Sequence, residues 1–344
     1  MMTAGKWFRA IFRARVIAQI LLVFALVMAL SAGLIYFMVT MPGQTLSADR
    51  LPPPAPGLQE LEKRLEQHVY VLSEEIGERS GSQGIKLNQA ADYIQGQFES
   101  FGYIPVSRGF GDGEYRNIEV DLYGTDRRDE IIVVGAHYDT SWLTPGADDN
   151  ASGIAGLLEI ARNLKDKRYA RTIRFIAFAN EEVPFYRRSE MGSMASAKRS
   201  FTRSEQIYGM IALEMIGYYS GEPGSQQYPH IMHWFYPDKG NFIAFIANPA
   251  SRDLQWKAIS YFREQQLFPS EGLIAPPLLE RSVRRSDHSS FWYYDFPAIM
   301  VTDTAYLRNP NYHRSGDKYD TLDYESMARV VSGLTVMLER LAQE

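Results

Sequence analysis

The chain has 344 residues, 45% hydrophobic and 22% charged, an ordinary globular composition with room for one large or two small domains. Its 36 basic and 41 acidic side chains give a net charge of −5, which excludes the basic footprint of a nucleic-acid binder. Cysteine is absent, so disulfides, thiolate nucleophiles and cysteine metal sites are excluded. Any metal must be held by Asp, Glu and the six histidines His68, His137, His230, His233, His288 and His313.

The first element is a membrane segment. Residues 16–40, VIAQILLVFALVMALSAGLIYFMVT, carry no charge, and roughly 20 helical residues cross a hydrocarbon core of about 30 Å. Lys6, Arg9, Arg13 and Arg15 precede it, while the first basic residue after it is Arg50. That asymmetry predicts a cytoplasmic N-terminus (1–15), an anchor (16–40), and a periplasmic or extracellular remainder. A cleaved signal peptide has a shorter apolar region of about 7–15 residues, and cleavage near ALSAG would leave LIYFMVT exposed. A domain outside the cytoplasm without cysteine points to a bacterial source. Residues 41–57, MPGQTLSADRLPPPAPG, read as a proline-rich spacer before a folded domain at 58–344.

From Leu58 onward helix and strand patterns alternate. LQELEKRLEQHVYVLSEEIG and LNQAADYIQGQFESFGY have helical periodicity, and NIEVDLYG alternates as a strand. IIVV (131–134) opens a strand running toward GAHYDT, and a helix begins around Ala151 or Ser152 in PGADDNASGIAGLLEIARNL. TIRFIAFANEE is an apolar strand ending in Glu181 and Glu182, GMIALEMIGYY another with Glu214 near its end, and residues 298–302 a third before a loop bearing His313. A last helix, YESMARVVSGLTVMLERLA, follows. Apolar strands flanked by helices predict an α/β sheet covered on both faces, with ligands bound beyond the carboxyl ends of its strands.

His137, Asp148, Glu181, Glu182 and Glu214 all fall at or just past such ends. Imidazole and carboxylate without thiolate suit Zn²⁺, and Mn²⁺ or Co²⁺ accept the same ligands. His137 and Asp139 are two apart on an extended chain and point to one side, so Asp139 can orient the ring of His137. Adjacent Glu181 and Glu182 point apart: one can bind metal while its neighbour handles the proton of a water. Asp148 can bridge two ions, although Asp148, Asp149 and Asn150 also sit where a helix is capped, a task open to Asn150 or Ser152.

The pieces GAHYDT, PGADDNASG, FANEE, IALEMIGYY, SDHSSFW with FPAIMVTD, and YHRSGDKYDTLDY, in that order, resemble the co-catalytic zinc aminopeptidase and glutamate-carboxypeptidase family of metallopeptidases. The resemblance implies a three-layer α/β/α sandwich around a mixed, mostly parallel eight-stranded sheet. It implies a first zinc on His137, Asp148 and Glu214, and a second on Asp148, Glu182 and His313. Asp148 would bridge, Glu181 would be the general base, and Asp139 the partner of His137. It also implies a cis peptide between Asp148 and Asp149. Glu214 departs from the Asp common in the aminopeptidases. Region 220–285, which has no residue-by-residue assignment, is expected to wall the substrate pocket.

His288 reads as a residue beside the ligands or lining the pocket, His230 and His233 as pocket-rim or surface residues, and His68 as structural. The glycosylation pattern at residues 150–152 would put a glycan against the site and is set aside. The leading expectation is a membrane-anchored dizinc exopeptidase, an aminopeptidase acting on peptides. The alternatives are a single-zinc glutaminyl cyclase and a non-enzymatic ectodomain of the same fold. No Gly-x-Ser-x-Gly elbow supports a serine hydrolase.

Overall fold

The computed structural model describes residues 4–111, 113 and 115–344, with side chains from Arg15 onward except at positions 112, 114, 230, 231 and 278. The side chains of Lys6, Arg9, Arg13 and His230 therefore lie outside the described residues. Residues 1–40 form one unit and residues 41–344 a second. The first contains a continuous helix, α1 (Ala4–Val39). Its stretch Arg15–Val39 has a mean hydropathy of 2.6, long and apolar enough to cross a membrane.

The second unit is built on eight strands: β1 (Val106–Phe110), β2 (Tyr115–Leu122), β3 (Arg127–His137), β4 (Arg171–Phe178), β5 (Gln206–Glu214), β6 (Ile243–Ala247), β7 (Ser270–Ile274) and β8 (Ala298–Thr302). They form one sheet in the order β1-β2-β4-β3-β5-β8-β6-β7. The centre, β4, β3, β5 and β8, is parallel, and β6–β7 is a second parallel pair. The pairs β1–β2, β2–β4 and β6–β8 are antiparallel.

Alternation sorts the side chains into two cores. Ile132, Val134 and Ala136 of β3, with Ile211 and Leu213 of β5, face helices α2 (Leu58–Tyr70), α3 (Gly84–Ser100), α4 (Gly153–Leu164), α6 (Arg252–Glu264) and α9 (Tyr324–Gln343). Their neighbours Ile131, Val133, Met210 and Ala212 point the other way, against Ala197 of α5 (Gly192–Thr202) and Phe291 and Trp292 of α8 (His288–Tyr293). All eight residues of β4 are buried because both faces are covered. His137 and Glu214 continue the second face at the last residues of β3 and β5.

The region left unassigned by periodicity supplies β6, α6, β7 and the short α7 (Pro277–Val283). Residues 41–45 of the proline-rich stretch dock on this part. Arg263 of α6 donates to the carbonyls of Pro42 and Gly43 at 3.0 and 3.2 Å, and the Ser270 amide of β7 donates to Thr45 Oγ1 at 2.9 Å.

Candidate metal centre

Strands β3, β4 and β5 run parallel and deliver their ends to one crevice. His137 ends β3, and Glu181 and Glu182 follow β4 after Asn180. Glu214 ends β5. The fifth contributor comes from the turn Ala147–Ser152 ahead of α4, where Asp149 and Asn150 leave helical geometry (ψ 88° and 40°). Gly146 makes that turn possible: its φ is +64°, and a Cβ there would lie 2.4 Å from the Asp149 carbonyl.

Asp149, not Asp148, occupies the middle of the site. His137 Nε2 lies 3.3 Å from Asp149 Oδ1 and 3.4 Å from Glu214 Oε2. His313 Nε2 lies 3.1 Å from Asp149 Oδ2 and 3.0 Å from Glu182 Oε1. Two groups of candidate ligands, His137–Asp149–Glu214 and Asp149–Glu182–His313, therefore share one carboxylate. The expectation for Asp148 is corrected. Its carboxylate turns away, Oδ1 accepting from the Gly217 amide at 3.0 Å and Oδ2 from Asn309 at 2.7 Å. Consecutive residues across a bend point in different directions, and the bend falls one residue later than the resemblance implied. The cis peptide likewise joins Asp149 to Asn150, not Asp148 to Asp149. Asn150 is the capping residue: its Oδ1 accepts from the amides of Gly153 and Met215, and it is fully buried, which leaves no room for a glycan.

The residues fit a cation. Ligand atoms about 2.1 Å from one tetrahedral zinc lie about 3.4 Å from each other, close to the separations above. His137 Nε2 and Asp149 Oδ1 are buried without a hydrogen-bond partner among the described residues. Buried imidazole and carboxylate atoms are rarely left so unless something binds them. The electrostatics agree. Burial alone would lower His137, yet Glu214, Asp139 and Asp149 drive it well above the ordinary imidazole range. Burial likewise opposes His313, and Asp149 and Glu182 raise it to about 10. Burial, then Asp149, push Glu182 up to about 7 against the pull of His313. Protons collect here because carboxylates outnumber cations, and a divalent ion would displace them.

Asp139 orients both sides of the site. His137 Nδ1 meets the Asp139 carbonyl at 3.1 Å and its carboxylate at 3.4 Å, which leaves Nε2 as the ligand nitrogen. The same carboxylate accepts from the amides of Glu181 and Glu182, both at 3.0 Å. Glu181 is buried, and its Oε1 has no partner among the described residues. Burial raises it well above the carboxylate range, and the charges of Glu182, Glu214 and Asp287 raise it further against the pull of His137. It lines a cleft of about 370 Å³ with Glu182, Tyr186, Arg187, Tyr312 and His313. Asn180, Met215 and His313 all have positive φ (62°, 49°, 55°). For residues other than glycine this backbone is uncommon, and it concentrates at functional sites.

Several supporting residues are not singled out by the sequence, although Ser286 and Asp317 fall within SDHSSFW and YHRSGDKYDTLDY. Asp317 accepts from the amides of Asp148 and Asp149 at 2.8 and 3.1 Å. Ser286 donates to Glu214 Oε2 at 2.6 Å. Arg79 is fully buried and donates to five carbonyls: Leu72, Gly77, Tyr138, Pro145 and Gly146, at 2.7–3.0 Å. It ties the chain beside His137 to the turn that carries Asp149. His288 is no ligand: Nε2 meets the Val283 carbonyl at 2.9 Å, and the ring stands edge-on to Trp292. His68 is bound to Tyr93 and Glu159 in a separate network, and His233 packs edge-on to the exposed Trp234.

A mostly parallel sheet with imidazole and carboxylate ligands gathered past its strand ends defines a metal-dependent hydrolase of the α/β class. Residues 117–337 match Peptidase family M28, and the chain belongs to that family of metallopeptidases. It is 40% identical over 287 residues to the uncharacterized protein YfbL of Escherichia coli (strain K12), across 80% of this chain and 87% of that one. It is 28% identical over 234 residues to the probable leucine aminopeptidase 1 of Trichophyton verrucosum, covering 62% of this chain and 56% of the fungal one. The crystal structure of the LapA aminopeptidase of Legionella pneumophila shares the fold, with a TM-score of 0.67 at 22% identity over 84% of this chain and 74% of that one. The chain is thus a family M28 peptidase with the expected eight-stranded α/β/α architecture.

Proposed function

We propose that this chain is a membrane-anchored aminopeptidase with two zinc ions. The observation that carries the reading is the Asp149 carboxylate, whose two oxygens face two separate histidine–carboxylate pairs. His137, Asp149 and Glu214 would hold one ion, and Asp149, Glu182 and His313 the other. Glu214 reaches the first group despite its extra methylene relative to Asp. Zinc, when bound, supplies Lewis-acid polarisation of the scissile carbonyl and makes water a stronger acid.

The chain's own residues do the rest. Glu181 projects an unpartnered carboxylate oxygen into the cleft beside both groups. A carboxylate raised by burial takes a proton from the attacking water and passes it to the departing amine. Asp139 holds the backbone of that general base and the ring of His137 in register. The helix Arg15–Val39 would anchor the protein, and the positive charge ahead of it supports a catalytic unit outside the cytoplasm.

The test is elemental analysis of the purified full-length chain with assays on free and N-acetylated peptides. Two divalent ions per chain, activity abolished by chelation, and cleavage only of free N-termini are expected. One tightly bound ion at excess zinc, or equal cleavage of acetylated peptides, would refute the reading. Protease added to spheroplasts should digest the catalytic unit, and N-terminal sequencing should find the leader intact.

A further inference from the structure

Beside the metal centre a second cavity of about 160 Å³ opens over the β8, β6 and β7 half of the sheet, with Glu214 and Tyr312 at its inner end. That is below the roughly 300 Å³ at which pockets for drug-sized ligands begin, so it suits one side chain. Its walls are apolar and aromatic: Tyr228, Tyr236, Phe242, Ile246, Leu273 and Met300. Among the polar and charged residues of the lining, Glu271 stands at the end far from the metal centre. Glu271 of β7 lies in the cavity lining, partly buried, with no hydrogen-bond or ion-pair partner for its carboxylate among the described residues.

The register shows where that carboxylate stands. Glu214 pairs with Thr302, Thr302 with Ala244, and Ala244 with Glu271. Directly paired residues project to the same face, so Glu214 and Glu271 occupy the two ends of one row across four strands. At about 4.8 Å per strand the row is roughly 14 Å long. A substrate side chain directed from Glu214 along this row, over Thr302 and Ala244, would point toward Glu271. Leucine ends in the apolar part. Lysine carries its ammonium on a four-carbon stem and arginine its guanidinium on a comparable one, apolar along the walls and cationic at the far end.

Resting on the proposed aminopeptidase reading, we infer that Glu271 makes this cavity a specificity pocket for a long basic N-terminal residue, lysine or arginine. Burial, opposed by Arg263, pushes the Glu271 carboxyl up to about 7. Arg263 gives its own donors to the carbonyls of Pro42, Gly43 and Ser270 and to the Ser270 hydroxyl. Its charge acts on Glu271 from a distance, but its N–H groups are spent elsewhere and form no ion pair with that carboxylate. Arg285 lines both this cavity and the Glu181 cleft, and its guanidinium lies over the Tyr306 ring, 5.0 Å from the centroid.

The zinc-loaded full-length protein is assayed on the 4-nitroanilides of lysine and norleucine, which share a stem and differ in the charge. Binding of the two amino-acid amides is measured in parallel by calorimetry. Lysine should exceed norleucine by at least about 10-fold in kcat/KM and in affinity, because an unpaired buried carboxylate discriminates against a side chain lacking the cation. Glu271→Gln should shrink that ratio to a few-fold, and Glu271→Leu should invert it. The ratio is internal to each protein, so partial misfolding of a variant does not change it. Norleucine equal to or above lysine in the wild type, or a ratio unmoved by either variant, overturns the pocket assignment. No cleavage of either anilide with the lysine preference retained in binding would support the pocket while refuting the aminopeptidase reading.

Discussion

Replacing Arg79 with methionine removes the tie between the end of β3 and the turn that carries Asp149. Methionine keeps much of the apolar volume and none of the five hydrogen bonds now made to Leu72, Gly77, Tyr138, Pro145 and Gly146. Hydrogen bonds to charged groups contribute about 1.5–3 kcal/mol each, but such losses are not additive and water reaches part of the vacated space. A buried carbonyl left unsatisfied costs about 1–3 kcal/mol, so several of them together, partly re-solvated, cost about 3–5 kcal/mol of a total stability of about 5–15 kcal/mol. At roughly 2–4 °C per kcal/mol, the melting temperature should fall by about 6–20 °C. Calorimetric melts of the zinc-loaded and chelated protein read this directly. The loss should be larger with zinc, because His137 and Asp149 sit on the two segments released. Arg79→Lys should recover less than half, since one ammonium cannot replace a planar fork. A melting temperature within about 2 °C of wild type would refute the assignment of Arg79 as the tie.

Glu181→Gln should retain both ions by elemental analysis while turnover falls by about 10²–10⁴-fold, whereas Glu182→Ala should lose metal as well. Near wild-type turnover of fully metallated Glu181→Gln would sink the general-base role. Asp149→Asn should strip metal from both groups. Asp148→Asn should keep it and lose about 1–2 kcal/mol of stability, through its bonds to Gly217 and Asn309. The reverse pattern would restore Asp148 as the bridge. Burial lowers His288 to about 3 in the folded chain, against about 6.5 unfolded. Below pH 6.5 the unfolded chain takes up a proton that the folded chain refuses. Stability present above that pH is therefore lost as pH falls toward 3. His288→Gln should flatten the stability-versus-pH curve in this window, and an unchanged slope in denaturant titrations would contradict it.

The parts of the site legible in the sequence are those where a periodic element ends in chemistry. His137 and Glu214 terminate apolar strands whose alternation with helices is unmistakable. Asp149 was not separable from Asp148 because the choice depends on a backbone bend, and both are aspartates with the same neighbours. Arg79 lies between two helices in ERSGSQG, and its partners are backbone carbonyls, which leave no mark on composition. The five-residue strands β6 and β7 sit among aromatic and proline-rich loops, too short for a period to register, although the expected role of that region as pocket wall agrees with Tyr228, Phe242 and Leu273 lining the cavity. Glu271 gains its meaning only from a register spanning four strands.

The docking of residues 41–45 onto α6 and β7 sets the limits of any smaller working protein. Periodicity alone would start a soluble fragment at Leu58, the first residue of α2. Such a fragment would deprive Arg263 of the Pro42 and Gly43 carbonyls and β7 of the Thr45 hydroxyl, and it would strip Met41 from Gly272. The outer edge of β7 would then lie bare, with amides and carbonyls ready to pair with another chain. Truncation there uncovers part of the edge of a strand that itself lines the proposed substrate cavity. A fragment that keeps these contacts begins at Met41, and residues 41–45 act as a guard on the sheet's edge.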